Sequence, residues 1–271
     1  MKLSITGLFT LVIVTMSWPV LAENVTKGAK SYKIGLNTGL YNYGSIDELY
    51  SFALYSGKGI NYGLKFWNGT NKRNHLLALR LTNIDRQPHG LEVDPNYFDA
   101  TDPILIKNSF LFEAVDHYRY LIKKLNNKHI KLYGQAVWLT SVNITSNAYS
   151  LPELIQSGLG TGLYSTAALK KHQFSVEVHV PVITLTVRNN YSMSMTQNFE
   201  RLSKLTFIKQ NIQLQFPNSI MAIYSAFQYE YAISKHFSVE GEYHFRYMLN
   251  TSPQPLRAAT GIYSINLYFN F

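Results

Sequence analysis

The chain of 271 residues has no cysteine, which excludes a disulfide framework and any thiolate metal site. After residue 22 it has no apolar run approaching the roughly 20 residues that a membrane-spanning helix needs. Acidic side chains are scarce: 16 Asp and Glu stand against 25 Lys and Arg, a net charge of +9. What the chain holds in quantity is Tyr (20) and Phe (15), with apolar residues dispersed in alternation rather than in runs. Bilayer-exposed backbone must be hydrogen-bonded within the protein, so a chain of this kind can cross a membrane only as a closed sheet.

Residues 1–22 have the form of a secretory signal. Lys2 gives a positive start, Ile5 to Met16 a mostly apolar stretch, and Val20-Leu21-Ala22 a small-residue cleavage site before Glu23. The expected mature chain, 23–271, is then a single domain. Export changes the meaning of the positive charge. In a soluble protein it would suggest nucleic acid. In an exported one no nucleic-acid partner is expected, and anionic lipid headgroups, lipopolysaccharide phosphates or an acidic protein partner take its place.

Successive strand side chains point to opposite faces. At the end of the chain Tyr263, Ile265, Leu267, Phe269 and Phe271 alternate with Ser264, Asn266, Tyr268 and Asn270. One face is therefore apolar and the other almost wholly polar. A soluble edge strand of this kind would invite aggregation, whereas a barrel strand has bilayer on one face and a polar lumen on the other. The ending also resembles the C-terminal signal of bacterial outer-membrane β-barrels. That resemblance implies that the five alternating apolar residues are read by the barrel-assembly machinery.

The same alternation recurs upstream and predicts an all-β fold, an antiparallel transmembrane β-barrel of ten strands. Tyr32, Ile34, Leu36, Thr38 and Leu40 define the outward face of the first, at about 31–43. Ile60, Tyr62, Leu64 and Phe66 define the second, at about 59–67, and Leu77, Leu79 and Leu81 the third, ending near Asp85. The fourth and fifth run at about 108–122 and 129–143, and the sixth at about 159–169. In the seventh, Phe174, Val176, Val178, Val180 and Val182 alternate with Ser175, Glu177 and His179. Strands at about 219–232, 236–249 and 259–271 close the barrel. In residues 188–217, Phe199, Leu202, Leu205, Ile208 and Ile212 recur at helical spacing. A loop with a short amphipathic helix is favoured there over two further strands, which would make twelve.

Connectors near 68–73, 124–128, 170–173 and 233–236 are short, and those near 44–58, 86–107, 144–158, 188–217 and 250–258 longer. Short periplasmic turns and long outer loops produce this alternation, and an even strand number puts both termini in the periplasm. All four short turns are basic, through Lys72 and Arg73, Lys123, Lys124 and Lys128, Lys170 and Lys171, and Lys235 beside His236. They read as a solvated rim, or as a cationic collar for anionic headgroups or a periplasmic partner.

The chemistry-bearing residues fall on inward faces: Glu113, His117 and Arg119 on the fourth strand; Glu177 and His179 on the seventh; Glu240, Glu242, His244 and Arg246 on the ninth. Lys33, Lys65, Arg80 and Lys131 add inward cations. A hydrolase needs nucleophile, base and orienting acid in mutual reach. Ser175 stands about 13 Å of strand rise from His179, so no catalytic role is assigned to this trio. Small-barrel lipid A deacylases carry a His-x-Ser pair on a late strand, and here His244-Phe245-Arg246 has Arg in the place of the nucleophile. Neither the outer-membrane phospholipase nor the omptin protease pattern is found. Glu92, Asp94, Asp99 and Asp102 cluster in a loop but lack the glycine-turn pattern of a calcium loop. No metal and no cofactor is expected. Buried charges must be paired, and a barrel of ten strands is narrow, so the inward residues are expected to form a salt-bridged plug.

Leu49-Tyr50-Ser51-Phe52-Ala53-Leu54-Tyr55-Ser56-Gly57 is similar to a Leu-Ser-Pro-Leu-x-Tyr-x-Gly run, with Ala53 where that run has proline. With Val180-Pro181-Val182 ending a strand and the terminal aromatic strand, it resembles a group of Bacteroidetes outer-membrane barrels. The resemblance implies a fold and a place in the envelope of a Gram-negative cell, and no reaction. The expected role is a structural or interaction component of that envelope, in contact with outer-membrane lipids. An envelope protein partner would meet the basic turns or the long loops. A narrow channel for small solutes is the alternative, suggested by Gly35, Gly39 and Gly63 thinning the lumen wall. A membrane-embedded lipid hydrolase is the second alternative.

Overall fold

The computed structural model describes residues 31–47, 51–70, 72–88, 108–125, 129–145, 152–188, 211–251 and 255–271. The signal 1–22 and the acidic loop residues Glu92 to Asp102 lie outside them. Eleven strands follow in order: β1 (Ser31–Asp47), β2 (Ser51–Gly69), β3 (Arg73–Pro88), β4 (Asn108–Leu125), β5 (Ile130–Thr145), β6 (Pro152–Leu169), β7 (His172–Arg188), β8 (Ile212–Gln215), β9 (Ile220–Ala232), β10 (Phe237–Asn250) and β11 (Leu256–Asn270). They form one antiparallel sheet ordered β6-β5-β4-β3-β2-β1-β11-β10-β9-β7, and pairing of β6 with β7 closes it.

Ten staves make the wall, because β8 and β9 share one. Thr184 of β7 pairs with Gln215 of β8, and His179 with Tyr224 of β9. The extra residues between them, Phe216 to Ser219, leave the ladder as a turn in which Ser219 and Ile220 N–H both donate to the Phe216 carbonyl at 2.9 Å. Pro217 has no N–H to give a ladder, which is why the stave breaks there. Side-chain amides of Gln215 and Asn250 then bond reciprocally at 3.0 Å, holding β8 to the end of β10.

The alternation read from the sequence is the alternation of the wall. Leu36, Leu40, Ile60, Leu81, Leu163, Val178 and Ile265 face out and are exposed, while Asn37, Asn61, Lys65, Arg80, Glu177 and Asn266 face in and are buried. At the end carrying the short turns, Tyr32, Phe66, Tyr120, Phe174, Phe237 and Phe269 ring the outer face. Aromatic girdles flank the apolar band of a membrane barrel at its interfaces. A closed antiparallel sheet with this apolar belt and girdle is the architecture of an outer-membrane β-barrel.

Several boundaries differ from the sequence reading. β1 continues to Asp47 and β2 begins at Ser51, so the connector expected over 44–58 shrinks to residues 48–50. β6 begins at Pro152, inside the expected loop. Crossing a bilayer takes only about 9–11 residues of tilted strand, and these strands are longer. Beyond the belt the outer face meets water, so pairing continues without the apolar alternation that marks it. In 188–217, β7 keeps Arg188, and Ile212 belongs to the short strand β8 with its side chain outward, not to a loop or helix. Phe199, Leu202, Leu205 and Ile208 lie outside the described residues.

Candidate functional site

Inward side chains bond to one another across the lumen at several levels. Toward the turn end, carboxylates and cations interlock across the barrel. Lys33 donates to Glu230 at 2.6 Å, and Ser238 donates to the same carboxylate at 2.6 Å. Lys65 of β2 reaches over β1 and β11 to both Glu240 (3.1 Å) and Glu242 (2.7 Å) of β10. Asn266 and Tyr268 donate to Glu240 at 2.9 and 3.0 Å, and Gln228 to Glu242 at 2.7 Å. His244 lies 2.7 Å from Glu242 and 2.6 Å from Arg80.

At mid-height Arg246 of β10 pairs with Glu113 of β4. Four staves lie between these strands whichever way the wall is followed, so this pair spans the full diameter. Glu113 is wholly buried, and Arg80 stands 4.0 Å from its other oxygen. The Arg246 guanidinium also lies 4.8 Å above the Tyr224 ring. A second cluster joins β4 to β7, where Arg119 donates to Glu177 at 2.5 Å and to Gln135 at 3.2 Å, its guanidinium 3.7 Å over Tyr164. Nδ1 of His117 and of His179 each lie 3.8 Å from a Glu177 oxygen.

Every lumen residue singled out from the sequence faces inward: Glu113, His117, Arg119, Glu177, His179, Glu240, Glu242, His244 and Arg246. Lys33, Lys65 and Arg80 join them, with Lys131 half-buried on the inner face of β5. The partners of Arg246 were not legible. Its strand neighbours Glu240 and Glu242 serve Lys65, and Arg246 crosses the barrel instead. Ser175 accepts a hydrogen bond from Tyr164 at 2.9 Å, so its hydroxyl faces β6 rather than His179. Among the described residues no group of three His, Cys, Asp or Glu is arranged to hold a metal ion.

Toward the loop end the lining changes character. Tyr41, Ile84, Leu111 and Ile262 form one buried apolar cluster, and Ile220, Ala222, Met248, Leu256 and Ala258 another, with Tyr43 packed against both. These are inward positions, and the sequence reading missed them. The available signal was a loss of polarity at inward positions toward the loop end of some strands, as in Arg80, Thr82, Ile84 of β3; on β7 the inward Thr184, Thr186 and Arg188 stay polar to the end.

Gly35, Gly39 and Gly63 all lie on the inner face. A Cβ at Gly35 would stand 2.6 Å from the Tyr268 ring, while at Gly39 and Gly63 it would meet backbone carbonyls of the adjacent strand, Tyr263 at 2.2 Å and Leu79 at 2.5 Å. Lys72, Lys170, Lys171 and Lys235 are exposed in the turns, while Lys123 and Lys124, expected at a turn, are exposed on the last rungs of β4, paired with β5; Lys128 lies outside the described residues.

No protein-family model and no curated protein sequence matches the chain. Among solved structures, the outer membrane protease OmpT from Escherichia coli aligns over 92% of this chain and 99% of its own, at 9% identity and a TM-score of 0.44. Neisserial surface protein A aligns over 88% of this chain and 97% of its own, at 10% identity and 0.36. The outer membrane protein OprG from Pseudomonas aeruginosa aligns over 90% and 97%, at 9% identity and 0.32. These are similarities to barrel proteins at identities that transfer no activity.

Proposed function

We propose that this protein is a closed, non-conducting barrel serving as a structural or interaction component of the outer membrane. The observation that carries this reading is the Arg246–Glu113 pair, which bridges opposite staves at mid-height below an apolar seal. A solute would have to part a buried ion pair, which typically costs about 3–5 kcal/mol when one charge is left unpaired, and then enter packed aliphatic side chains. Short basic turns lie on the periplasmic side in this reading, with both termini, and the longer loops face outward. The similarity of Leu49 to Gly57 to the Bacteroidetes barrel group supports an envelope role and names no reaction. Residues 49 and 50 of that run lie outside the described part.

Purified protein in planar bilayers is expected to show no steps above baseline. Mild-detergent extraction should bring a stoichiometric envelope partner with it. Discrete conductance would instead favour the solute-channel alternative. Labelling by a serine-hydrolase probe, or fatty-acid release from lipid, would favour the hydrolase.

A further inference from the structure

The outer wall is not evenly covered. On β10 the outward position between Val239 and Tyr243 is Gly241, paired with Tyr229 on β9 and Ile265 on β11. Tyr229 and Ile265 project at 40% and 62% exposure, and Phe227 and Tyr263 stand one row further toward the loop end at 54% and 55%. Tyr243 and Tyr263 rings pack at 4.5 Å. A single missing side chain among projecting aromatics leaves a notch. It belongs to an open groove of about 800 Å³ whose walls include Phe174, Phe227, Tyr229, Tyr243, Tyr263 and Ile265. The groove lies within the apolar belt and opens toward the bilayer.

Directly below it on the same staves are two basic turns. Lys170 and Lys171 join β6 to β7, and Lys235 and His236 join β9 to β10; all four are exposed. The turns are neighbours, since Ala232 N–H donates to the Lys171 carbonyl at 2.8 Å. Lys171 stands three residues along β7 from Phe174, about 10 Å by strand rise. His172 and Phe174 link the two levels through Tyr229: the His172 ring bonds the Tyr229 hydroxyl at 2.8 Å, and the Phe174 and Tyr229 rings lie 4.9 Å apart.

We infer that the β7–β9–β10 face binds an anionic phospholipid of the turn-side leaflet, its headgroup on Lys170, Lys171 and Lys235 and one acyl chain in the notch at Gly241. Charge complementarity selects the headgroup, because juxtamembrane Lys residues attract anionic lipid. The notch selects the chain, because the aromatic walls offer apolar surface on two sides of a slender hydrocarbon where a smooth wall offers one. The inference rests on the barrel's crossing a bilayer and not on the state of its lumen, so a conducting barrel would leave it standing.

The test uses the full protein, incubated with vesicles of phosphatidylglycerol or phosphatidylethanolamine with matched acyl chains. Lipid retained after detergent extraction is counted by native mass spectrometry. Wild type should retain phosphatidylglycerol in preference. Lys171→Gln with Lys235→Gln should lower that retention by about fivefold for each charge removed while leaving phosphatidylethanolamine unaffected. Gly241→Leu should lower retention of both lipids, and Gly241→Ala should lower it less. No heavy atom lies within 4 Å of a Cβ placed at Gly241, so both glycine variants should fold and keep their heat-modifiable migration. Equal retention of the two lipids by wild type would overturn the headgroup assignment, and undiminished retention by Gly241→Leu would overturn the groove. Retention of lipopolysaccharide without phospholipid, or a dimer that Gly241→Leu abolishes, would show that another occupant holds this face.

Discussion

Glu113 shows what the lumen asks of a single side chain. It is wholly buried on the inner face of β4, held by Arg246 from the opposite wall with Arg80 nearby. Arg246→Ala should lower stability by about 3 kcal/mol, at the low end of the range for breaking a buried pair because Arg80 remains. Replacing both partners, Arg246→Met with Glu113→Leu, should recover much of that loss, since apolar groups leave no unpaired charge. Melting of the heat-modifiable band reads both variants. An Arg246→Ala protein that melts as wild type would show the pair to be dispensable. A second residue-scale contrast comes from glycines. A Cβ at Gly39 would lie 2.2 Å from the Tyr263 carbonyl oxygen, between two hydrogen-bonded strands, while one at Gly241 meets nothing. Gly39→Ala should therefore reduce the yield of folded barrel, and Gly241→Ala should not.

Among the elements, β11 and the broken stave carry the clearest expectations. The seam between β11 and β1 ends in Tyr32 and Phe271, which exchange backbone hydrogen bonds at 3.3 and 3.0 Å, with Phe271 packed edge-on against Phe269 at 4.9 Å. Removing Phe271 strips the last rung of that seam and the final residue of the outward apolar row. The deletion should leave the protein unassembled and degraded, as fractionation and immunoblotting would report; assembly at normal levels would refute the role. For the stave shared by β8 and β9, Asn250→Ala removes the amide clamp on Gln215. It should speed amide exchange at Ile212 to Gln215, which have only a short ladder to β7, and leave β9 protected. This element also marks where reading failed. Four residues of β8 are too few to display a period, and only pairing with Thr184 to Val187 makes them a strand.

For the molecule as a whole, the lumen and the arrangement of connectors carry separate expectations. With polar residues interlocked toward the turn end and apolar clusters toward the loop end, single substitutions such as Arg246→Ala should leave bilayer conductance near zero, because the apolar seal remains. Unchanged melting with a newly opened pore would instead make Arg246 a gate. A protease added to intact cells should cut between Arg86 and Lys107 and spare Lys123 to Lys128; the reverse pattern would invert the barrel.

The alternation of Tyr263 to Phe271, of Leu36 and Leu40, and of Phe174 to Val182 was enough to specify strands, their faces and a barrel. The period of two is local, and an apolar outer face beside a polar inner one has few other uses. Inward placement of Glu113, Glu177, Glu242 and Arg246 followed from the same parity. Which charge meets which did not follow, because partners such as Arg246 and Glu113 are 133 residues apart in the chain and meet only when ten staves close at one diameter. The apolar cluster of Tyr41, Ile84, Leu111 and Ile262 was hidden for a related reason. Each strand contributes one or two of its members, too few to notice singly, and only closure stacks them at one height. The notch at Gly241 is likewise an absence that has meaning only between Tyr229 and Ile265, two neighbours that the chain places far from it and the sheet places beside it.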